Sequence, residues 1–110
     1  MNNVNLVGRI VKDPELRSAR DTDIVTLIVA TDRPKLQNGR TYKDESGFTA
    51  KETEFHKVTC FNGKARAVSA SRKKGDLVAI EGRLHYTRWK DAEGKDRYGC
   101  EIVADEIEFY

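Results

Sequence analysis

The sequence predicts an all-β domain: a barrel of five strands in Greek-key order, with one short helix between the third and fourth strands. Short β-branched segments, separated by Gly, Pro, Asn and Asp turn signals, indicate the strands. A single alanine-rich segment indicates the helix. The chain has 110 residues, which is enough for one core. Residues 1–110 are therefore expected to form a single domain.

The first two strands have clear ends in the sequence. Residues 4–11 are mostly apolar, and the run stops before Asp13-Pro14 because proline cannot donate to a β-ladder. Residues 24–31 are rich in β-branched side chains and stop before Arg33-Pro34 for the same reason. Both segments are predicted strands.

A long polar loop follows the second strand. It covers residues 34–51 and contains turn signals at Asn38-Gly39 and Ser46-Gly47. Loops of this length in compact domains are usually functional or mobile. We therefore expect the loop to contribute to function.

The third strand, residues 55–61 within the run 53–61, has the most informative pattern in the chain. Because side chains alternate along a strand, one face carries two aromatic rings with a cation between them, and the other face enters the core. The first face consists of Phe55, Lys57, Thr59 and Phe61, and the second of Glu54, His56, Val58 and Cys60. Rings for base stacking and positive charge for phosphates are what single-stranded nucleic acid requires. The alternative is that both phenylalanines belong to the barrel core.

The remaining elements follow from capping and turn signals. Residues 64–74 are alanine-rich, end in basic residues and precede Gly75, which predicts a helix with its stop signal. Residues 77–83 predict a fourth strand that runs on to residue 89. Residues 91–94 form a turn, and residues 98–109 predict the last strand.

The charge is unevenly distributed along the chain. Residues 1–54 hold nine Lys/Arg and nine Asp/Glu, and so balance. Residues 55–90 hold nine against two, giving +7, and residues 91–110 hold two against seven, giving −5. A basic segment that coincides with the aromatic strand indicates a surface for a polyanion. The alternative is a solvated charged face.

Several classes of function lack support in the sequence. Cys60 and Cys100 lie in predicted strands, and we interpret them as small buried side chains in a reducing compartment. With His56 and His85 they form no metal-binding pair of short spacing, so no metal and no other cofactor is expected. No catalytic motif indicates an enzyme. No targeting or membrane-length segment is visible, so a cytoplasmic location is expected.

Five strands with a helix between the third and fourth have the element order of an OB-fold, whose barrel face and loops bind oligonucleotides. Short motifs along nearly the whole chain also resemble, in the same order, those of the bacterial single-stranded DNA-binding proteins. The motifs are residues 4–10 with 13–17, Thr53-Glu54-Phe55-His56-Lys57-Val58, Lys73-Lys74-Gly75-Asp76-Leu77-Val78, Glu81-Gly82-Arg83-Leu84, Arg88-Trp89, Asp96-Arg97-Tyr98 and residues 101–107.

The resemblance implies which aromatic side chains stack on bases. Phe55 stands where the family has a stacking tryptophan, Phe61 where it has a phenylalanine, and Trp89 matches the third stacking position. Tyr42 is the best match to a further tryptophan in the long loop, and Phe48 is the competing position. Phenylalanine offers less π-surface than tryptophan, so Phe55 is expected to stack on bases as the family's tryptophan does, but more weakly.

The resemblance also implies a set of phosphate-binding cations. These are Lys57, Lys64, Lys74, Arg88 and Arg9. His85 and Thr87 stand where the family often has arginines, which lowers the local charge. The alternative for Lys74 is a purely structural role at the helix C-terminus, where cations interact favourably with the helix dipole.

The implied function is binding of single-stranded DNA without sequence preference, which protects the strand during replication, recombination and repair. The main alternative is a protein-interaction module of the primosome type, which would not need the aromatic set. Family members commonly continue into a flexible linker with an acidic tip that recruits replication and repair enzymes. This chain stops at Tyr110 without one. We therefore expect a separate domain or a short variant, such as a second paralogue or a phage or plasmid protein.

The resemblance implies a homotetramer, and the first strand gives an independent reason to expect at least a dimer. Val4, Leu6, Val7, Ile10 and Val11 would place apolar side chains on both of its faces. An edge strand of that kind favours pairing with a copy of itself across a two-fold axis.

Overall fold

The computed structural model describes residues 1–110 as eight strands and one helix. The elements are β1 (Val4–Ile10), β2 (Glu15–Ala19), β3 (Thr22–Pro34), β4 (Leu36–Gln37), β5 (Arg40–Thr41), β6 (Lys51–Phe61), α1 (Asn62–Ser71), β7 (Leu77–Lys90) and β8 (Asp96–Phe109). The helix α1 is too short to cross a membrane.

Five of the strands close into a barrel. Their order is β1-β7-β8-β6-β3, and β1 completes the circle by pairing with β3 at Arg9–Ala30 and Ile10–Val29. Neighbouring strands are antiparallel except β6 and β8, which run parallel. α1 follows the third barrel strand and precedes the fourth. The predicted five-stranded barrel with one short helix is confirmed.

The core is built from alternate residues of the barrel strands. Its fully buried members include Val25, Leu27 and Val29 of β3, Val58 and Cys60 of β6, and Ala65 and Val68 of α1. The register sets Leu27 opposite Val58 and Val25 opposite Cys60, so the two strands bury the same side of the sheet. The predicted inner face of the aromatic strand is therefore correct at Val58 and Cys60.

β7 and β8 extend beyond the barrel as a two-stranded arm, which comprises residues 84–90 and 96–102. The two strands stay paired out to Lys90 and Asp96, whereas β6 meets β8 only at Val58–Ile102 and Thr59–Val103. The arm therefore lacks a third strand over its outer half. This projection contributes to a radius of gyration of 16.7 Å, against about 13 Å for a compact chain of this length.

A single carboxylate organises the tip of the arm. Asp91 Oδ1 accepts hydrogen bonds from the amides of Lys95 at 3.0 Å and Glu93 at 2.9 Å, and Oδ2 accepts one from Arg97 Nε at 2.8 Å. The Lys95 amide, followed by the Arg97 guanidinium, holds the pKa of Asp91 below its usual range. The turn is thus tied together at both of its ends.

The two cysteines have different environments. Cys60 is fully buried, and burial raises its pKa to about 11, an effect partly opposed by the positive charge of Lys64. Cys100 is exposed. The prediction that both thiols are buried is wrong for Cys100, because it lies on the arm, where β8 has left the barrel.

The sequence did not predict β2, β4 or β5. β2 pairs with β3 through a turn at Arg20 and Asp21, whose φ angles are 49° and 64°. This turn has neither the glycine nor the asparagine that usually marks such a conformation, so the sequence analysis did not predict it. β4 and β5 form a small hairpin around Asn38-Gly39, which confirms the predicted turn at that site.

The helix lies closer to the N-terminus than predicted. It spans Asn62–Ser71 rather than residues 64–74, so the basic residues 72–74 lie beyond its last turn. Two carboxylates hold these residues outside the helix: the Lys73 amide donates to Asp76 at 3.0 Å, and the Lys74 amide donates to Asp13 at 2.7 Å. The contact with Asp13 is tertiary and was not visible in the local sequence.

Val58→Ala is expected to lower the free energy of unfolding by about 1–3 kcal/mol, because it removes methyl groups from a fully buried site. Urea denaturation measures the change. The matched control is Phe55→Ala, three residues away on the outer face of β6, which should change stability by no more than about 0.5 kcal/mol. The opposite pattern would mean that the two faces of β6 are inverted.

Candidate nucleic-acid interface

The outer face of β6 presents two aromatic rings to solvent. Phe55 is 66% exposed and Phe61 is 38% exposed, while Val58 and Cys60 between them are buried. Lys57 lies between the rings on the same face and is also exposed. Neither phenylalanine is a core residue, so the alternative of buried rings is wrong. What remains is a pair of free π-surfaces around a cation.

Trp89 lies on the same side of the sheet as the two phenylalanines. Its ring packs beside Gly99 of the neighbouring strand, and Glu101, two residues further along β8, shares that side. Glu101 in turn accepts a hydrogen bond from the Thr59 hydroxyl of β6 at 2.8 Å. Phe55, Phe61 and Trp89 therefore face one continuous surface, called here the aromatic face.

The indole of Trp89 rests where Gly99 has no side chain. A Cβ at Gly99 would stand 3.0 Å from Trp89 Cζ3 and 2.9 Å from Thr87 Oγ1, closer than such atoms normally approach. The ring therefore has support from the β8 backbone on one side, and 50% of the residue remains exposed. A ring held this way loses little conformational freedom when a second planar group stacks on it.

Glu101 reduces the positive charge of the aromatic face. Lys57 Nζ lies 3.8 Å from Glu101 Oε2, and the carboxylate also binds the buried Thr59 hydroxyl. The side chain of Glu101 is only 16% exposed, against 55% for Lys57. The carboxylate is thus held in place, while the lysine ammonium is free to reach another anion.

A cleft beside β6 contains two cations that the sequence did not single out. It measures about 350 Å³, and the charged residues that line it are Lys12, Arg17, Lys57, Asp13 and Glu15. The Lys12 ammonium lies 3.7 Å from the Glu15 carboxylate. Arg17 belongs to β2, which places it in one cross-strand row with Ile24 and Phe61. Because β2 was not predicted, no signal placed Arg17 beside the aromatic face.

Arg9 lies at the edge of the aromatic face and binds the backbone of the segment that carries Lys74. The register joins Arg9 to Ala30 and Ala30 to Phe55, so Arg9 and Phe55 share a side of the sheet. Arg9 Nη1 donates to the Gly75 carbonyl at 3.1 Å, which brings it next to the exposed Lys74. Lys64 is exposed in the first turn of α1, just after Phe61.

Arg88 is separated from the other cations. Being adjacent to Trp89 in β7, it points to the opposite side of the arm, where its cross-strand partner is Tyr98. Its guanidinium binds the Asp96 carboxylate at 2.7 Å and lies 5.8 Å from the Tyr98 ring centroid. The structure therefore does not bring Arg88 together with Trp89.

The two loop aromatics differ in exposure. Tyr42 is half-buried, and its carbonyl accepts the Ala50 amide at 2.8 Å. Phe48 is exposed in a turn held by Asp44, which accepts its amide at 3.1 Å. Phe48 therefore offers the larger free ring, and Tyr42 the more firmly held one.

The two histidines lie on different strands of the barrel sheet, His56 on β6 and His85 on β7. No cluster of three or more His, Cys, Asp or Glu side chains has the arrangement to hold a metal ion. His56 Nε2 lies 2.8 Å from the Thr31 hydroxyl, a pairing between neighbouring strands. His85 is exposed on β7.

The closed five-stranded barrel, with its one parallel pair β6–β8, is an OB-fold, a fold whose face and loops commonly bind oligonucleotides. The sequence matches the Single-strand binding protein family over residues 1–110, so the chain belongs to that family. Proteins of this family and fold are non-catalytic DNA-binding proteins, and the chain is not an enzyme.

Relatives support the same assignment. The chain is 37% identical over 110 residues to single-stranded DNA-binding protein 1 of Xylella fastidiosa, covering 98% of this chain and 76% of that protein. It is 32% identical over 111 residues to the mitochondrial single-stranded DNA-binding protein of Drosophila melanogaster, covering 100% and 71%. It is 38% identical over 106 residues to the single-stranded DNA-binding protein of Rhizobium meliloti, covering 94% and 57%.

A solved structure has the same fold. The crystal structure of a deletion mutant of the single-stranded DNA binding protein from Thermus aquaticus matches with a TM-score of 0.78 at 25% identity. The match covers 100% of this chain and 50% of that chain. The chain thus spans half of the Thermus chain and little more than half of the Rhizobium protein.

Gly99→Ala is expected to displace the indole of Trp89, because the new methyl group would occupy the space beneath the ring. Trp89 is the only tryptophan, so its emission maximum and acrylamide quenching report the change directly. Gly63→Ala is the matched control, since a Cβ there meets only Arg66 Nη2 at 3.8 Å. Identical emission and quenching in Gly99→Ala and the unaltered protein would contradict the role given to Gly99.

Proposed function

We propose that this protein binds single-stranded DNA without sequence preference, by stacking bases on Phe55, Phe61 and Trp89 and contacting phosphates with Lys and Arg. The observation that carries the proposal is the aromatic face itself. Three partly or largely exposed rings lie on one side of the sheet, with Lys57 between two of them. Every base has a π-face, so stacking of this kind tolerates any sequence.

The phosphate contacts are proposed for the cations that border the aromatic face. Lys57, Arg9, Lys74 and Lys64 come from the sequence analysis, and the cleft adds Lys12 and Arg17. Of the loop aromatics, we retain Tyr42 as a stacking residue and Phe48 as its competitor. Binding of this kind would protect single strands during replication, recombination and repair in a bacterial cytoplasm, whether the gene is chromosomal or carried by a phage or plasmid.

Assembly is part of the proposal, because one edge of β1 is open. Residues 4–9 pair with β7 on one side, but β3 covers the other side only at Arg9 and Ile10. Val7 is exposed, while Val4 and Leu6 pack against the core. Pairing of two β1 edges across a two-fold axis would satisfy the free backbone groups. We propose a homotetramer, with this dimer as its first step, and replication and repair proteins as further partners.

The proposed function predicts a strong preference for single strands over duplex, since base pairing and stacking hide the π-faces in a duplex. Quenching of Trp89 by oligo-dT, compared with duplex of equal length and salt, measures it. Trp89→Ala and Phe55→Ala should each weaken binding, by about 1–3 kcal/mol per lost stacking contact. Because Trp89→Ala removes the fluorescent residue, its binding is measured by fluorescence anisotropy of labelled DNA. Val58→Ala, measured under conditions in which the variant is folded, should not weaken DNA binding. Equal affinity for duplex and single strand would rule the function out.

Glu101→Gln is expected to strengthen binding, because the amide can still accept the Thr59 hydroxyl while Lys57 loses its acidic neighbour. The affinity should rise by up to about fivefold. The slope of log K against log [salt] should become steeper by up to about 0.7, because Lys57, once freed from Glu101, makes its phosphate contact in full. Glu93→Gln, at the arm tip, is the control for a general charge effect. An affinity and a slope that both stay unchanged in Glu101→Gln would mean that Glu101 does not limit phosphate binding by Lys57.

The proposed assembly predicts that the DNA-free protein sediments at micromolar concentration as a species larger than a monomer. Contacts made through strand pairing and apolar side chains should persist at high salt, whereas DNA binding should weaken with salt. Analytical ultracentrifugation at low and high salt checks both statements. A monomer in both conditions would contradict the assembly.

A further inference from the structure

The side of the arm opposite Trp89 carries a second aromatic and basic cluster, which we call the far face. Its members are Tyr86, Arg88, Lys90, Asp96, Tyr98 and Cys100. Tyr86 is 71% exposed and Tyr98 is 70% exposed, which is more than any of the three rings on the aromatic face. The far face therefore offers free π-surface that the proposed function has not used.

The two tyrosines are positioned to act together. Tyr86 is opposite Cys100 and Tyr98 is opposite Arg88, so the two rings are diagonal neighbours on adjacent strands. Such neighbours lie about 7–8 Å apart, so the two tyrosine rings are close enough to contact the same bound strand. The Arg88 guanidinium lies 5.8 Å from the Tyr98 ring centroid, so the cluster combines stacking surface with positive charge.

The charge of the far face favours a polyanion. Arg88 and Lys90 share one acidic partner, Asp96, at 2.7 and 3.1 Å. Two cations against one carboxylate leave a net positive charge beside the tyrosines. A role confined to stabilising the arm would account for the Arg88–Tyr98 contact, but it would not account for Tyr86, whose cross-strand partner is the small side chain of Cys100.

A groove connects the far face to the aromatic face. β6 and β8 pair only at Val58–Ile102 and Thr59–Val103, so the strands separate beyond these residues. The space between them measures about 160 Å³ and is lined by Phe55 and Lys57 from β6 and by Leu84 and Cys100 from the arm. A residue of each face thus borders the same groove.

We propose that the far face is a second stacking surface for single-stranded DNA, and that one strand passes from Phe55 along this groove onto Tyr86 and Tyr98. The inference rests on the proposed function. It assigns the strand a path around both sides of the arm, so that each subunit engages more nucleotides than the aromatic face alone can hold.

Cys100 provides a direct test with the unaltered protein. It is exposed on the far face, whereas Cys60 is fully buried with a pKa raised to about 11, so N-ethylmaleimide modifies Cys100 selectively in the folded protein. Saturating oligo-dT, long enough to cover both faces, should slow this modification by about tenfold. Quenching of Trp89 in the same samples reports occupancy of the aromatic face.

The outcomes separate the two proposals. Quenching of Trp89 with an unchanged rate at Cys100 would overturn the far-face proposal and leave the proposed function standing. A DNA-free protein in which Cys100 is already unreactive would also overturn it, since the far face would then be covered. If oligo-dT neither quenches Trp89 nor protects Cys100, the proposed function itself has failed.

A double variant tests the tyrosines themselves. Tyr86→Leu with Tyr98→Leu retains apolar side chains on the strands but removes both rings. It should abolish the protection of Cys100 and reduce the number of nucleotides bound per subunit at saturation, while a short oligonucleotide still quenches Trp89 as before. Tyr110→Leu is the matched control, because Tyr110 is 68% exposed but follows the opposite end of β8. Protection that persists in the double variant would overturn the proposal.

Discussion

The functional surface depends on the alternation of side chains along β6. Val58 and Cys60 are held in the core opposite Leu27 and Val25, and this leaves Phe55 and Phe61 no position except the outer face. A shift of one residue in the β3–β6 register would exchange the two sets, burying Lys57 and exposing the core. Burial of the inner face thus specifies the chemistry of the outer one, and the same apolar contacts that stabilise the barrel also orient the rings.

Neighbouring strands add to this face through their pairing. The register carries Arg9 and Arg17 into rows with the phenylalanines, although both are far from β6 in sequence. Glu101 limits the charge of the assembled face, because its carboxylate is held by the buried Thr59 hydroxyl beside Lys57. A surface with both signs of charge binds a polyanion less tightly than a purely basic one.

The arm is the second structural device, and its geometry follows from strand length. β7 and β8 have 14 residues each, and β6 leaves β8 after two paired positions, so the outer part of the arm, beyond Ile102, lies clear of the barrel with both faces in solvent. The Asp91 carboxylate ties the tip at both ends. Trp89 therefore lies in a paired strand, and its ring packs beside Gly99 of the neighbouring strand.

Local patterns in the sequence were sufficient for the existence of the barrel strands, the single helix, the Asn38-Gly39 turn and the two faces of β6. Each of these depends on side-chain period or on turn chemistry within a few residues. The predicted end of the second strand before Arg33-Pro34 was wrong, because β3 continues to Pro34 in its pairing with β6. β2 was not predicted because its turn at Arg20 and Asp21 contains neither glycine nor asparagine. The helix ended early because carboxylates distant in sequence, or beyond its end, bind the next amides.

By itself, the sequence determined the class of fold, the composition of the aromatic strand and the basic middle of the chain, because all three are properties of neighbouring residues. Only the tertiary structure decided which distant cations join the rings, that Arg88 lies behind Trp89 and that Cys100 is exposed. These depend on which strands pair, in what register and for how far. No local pattern records where β8 leaves the barrel, and that departure sets the exposure of every residue on the arm.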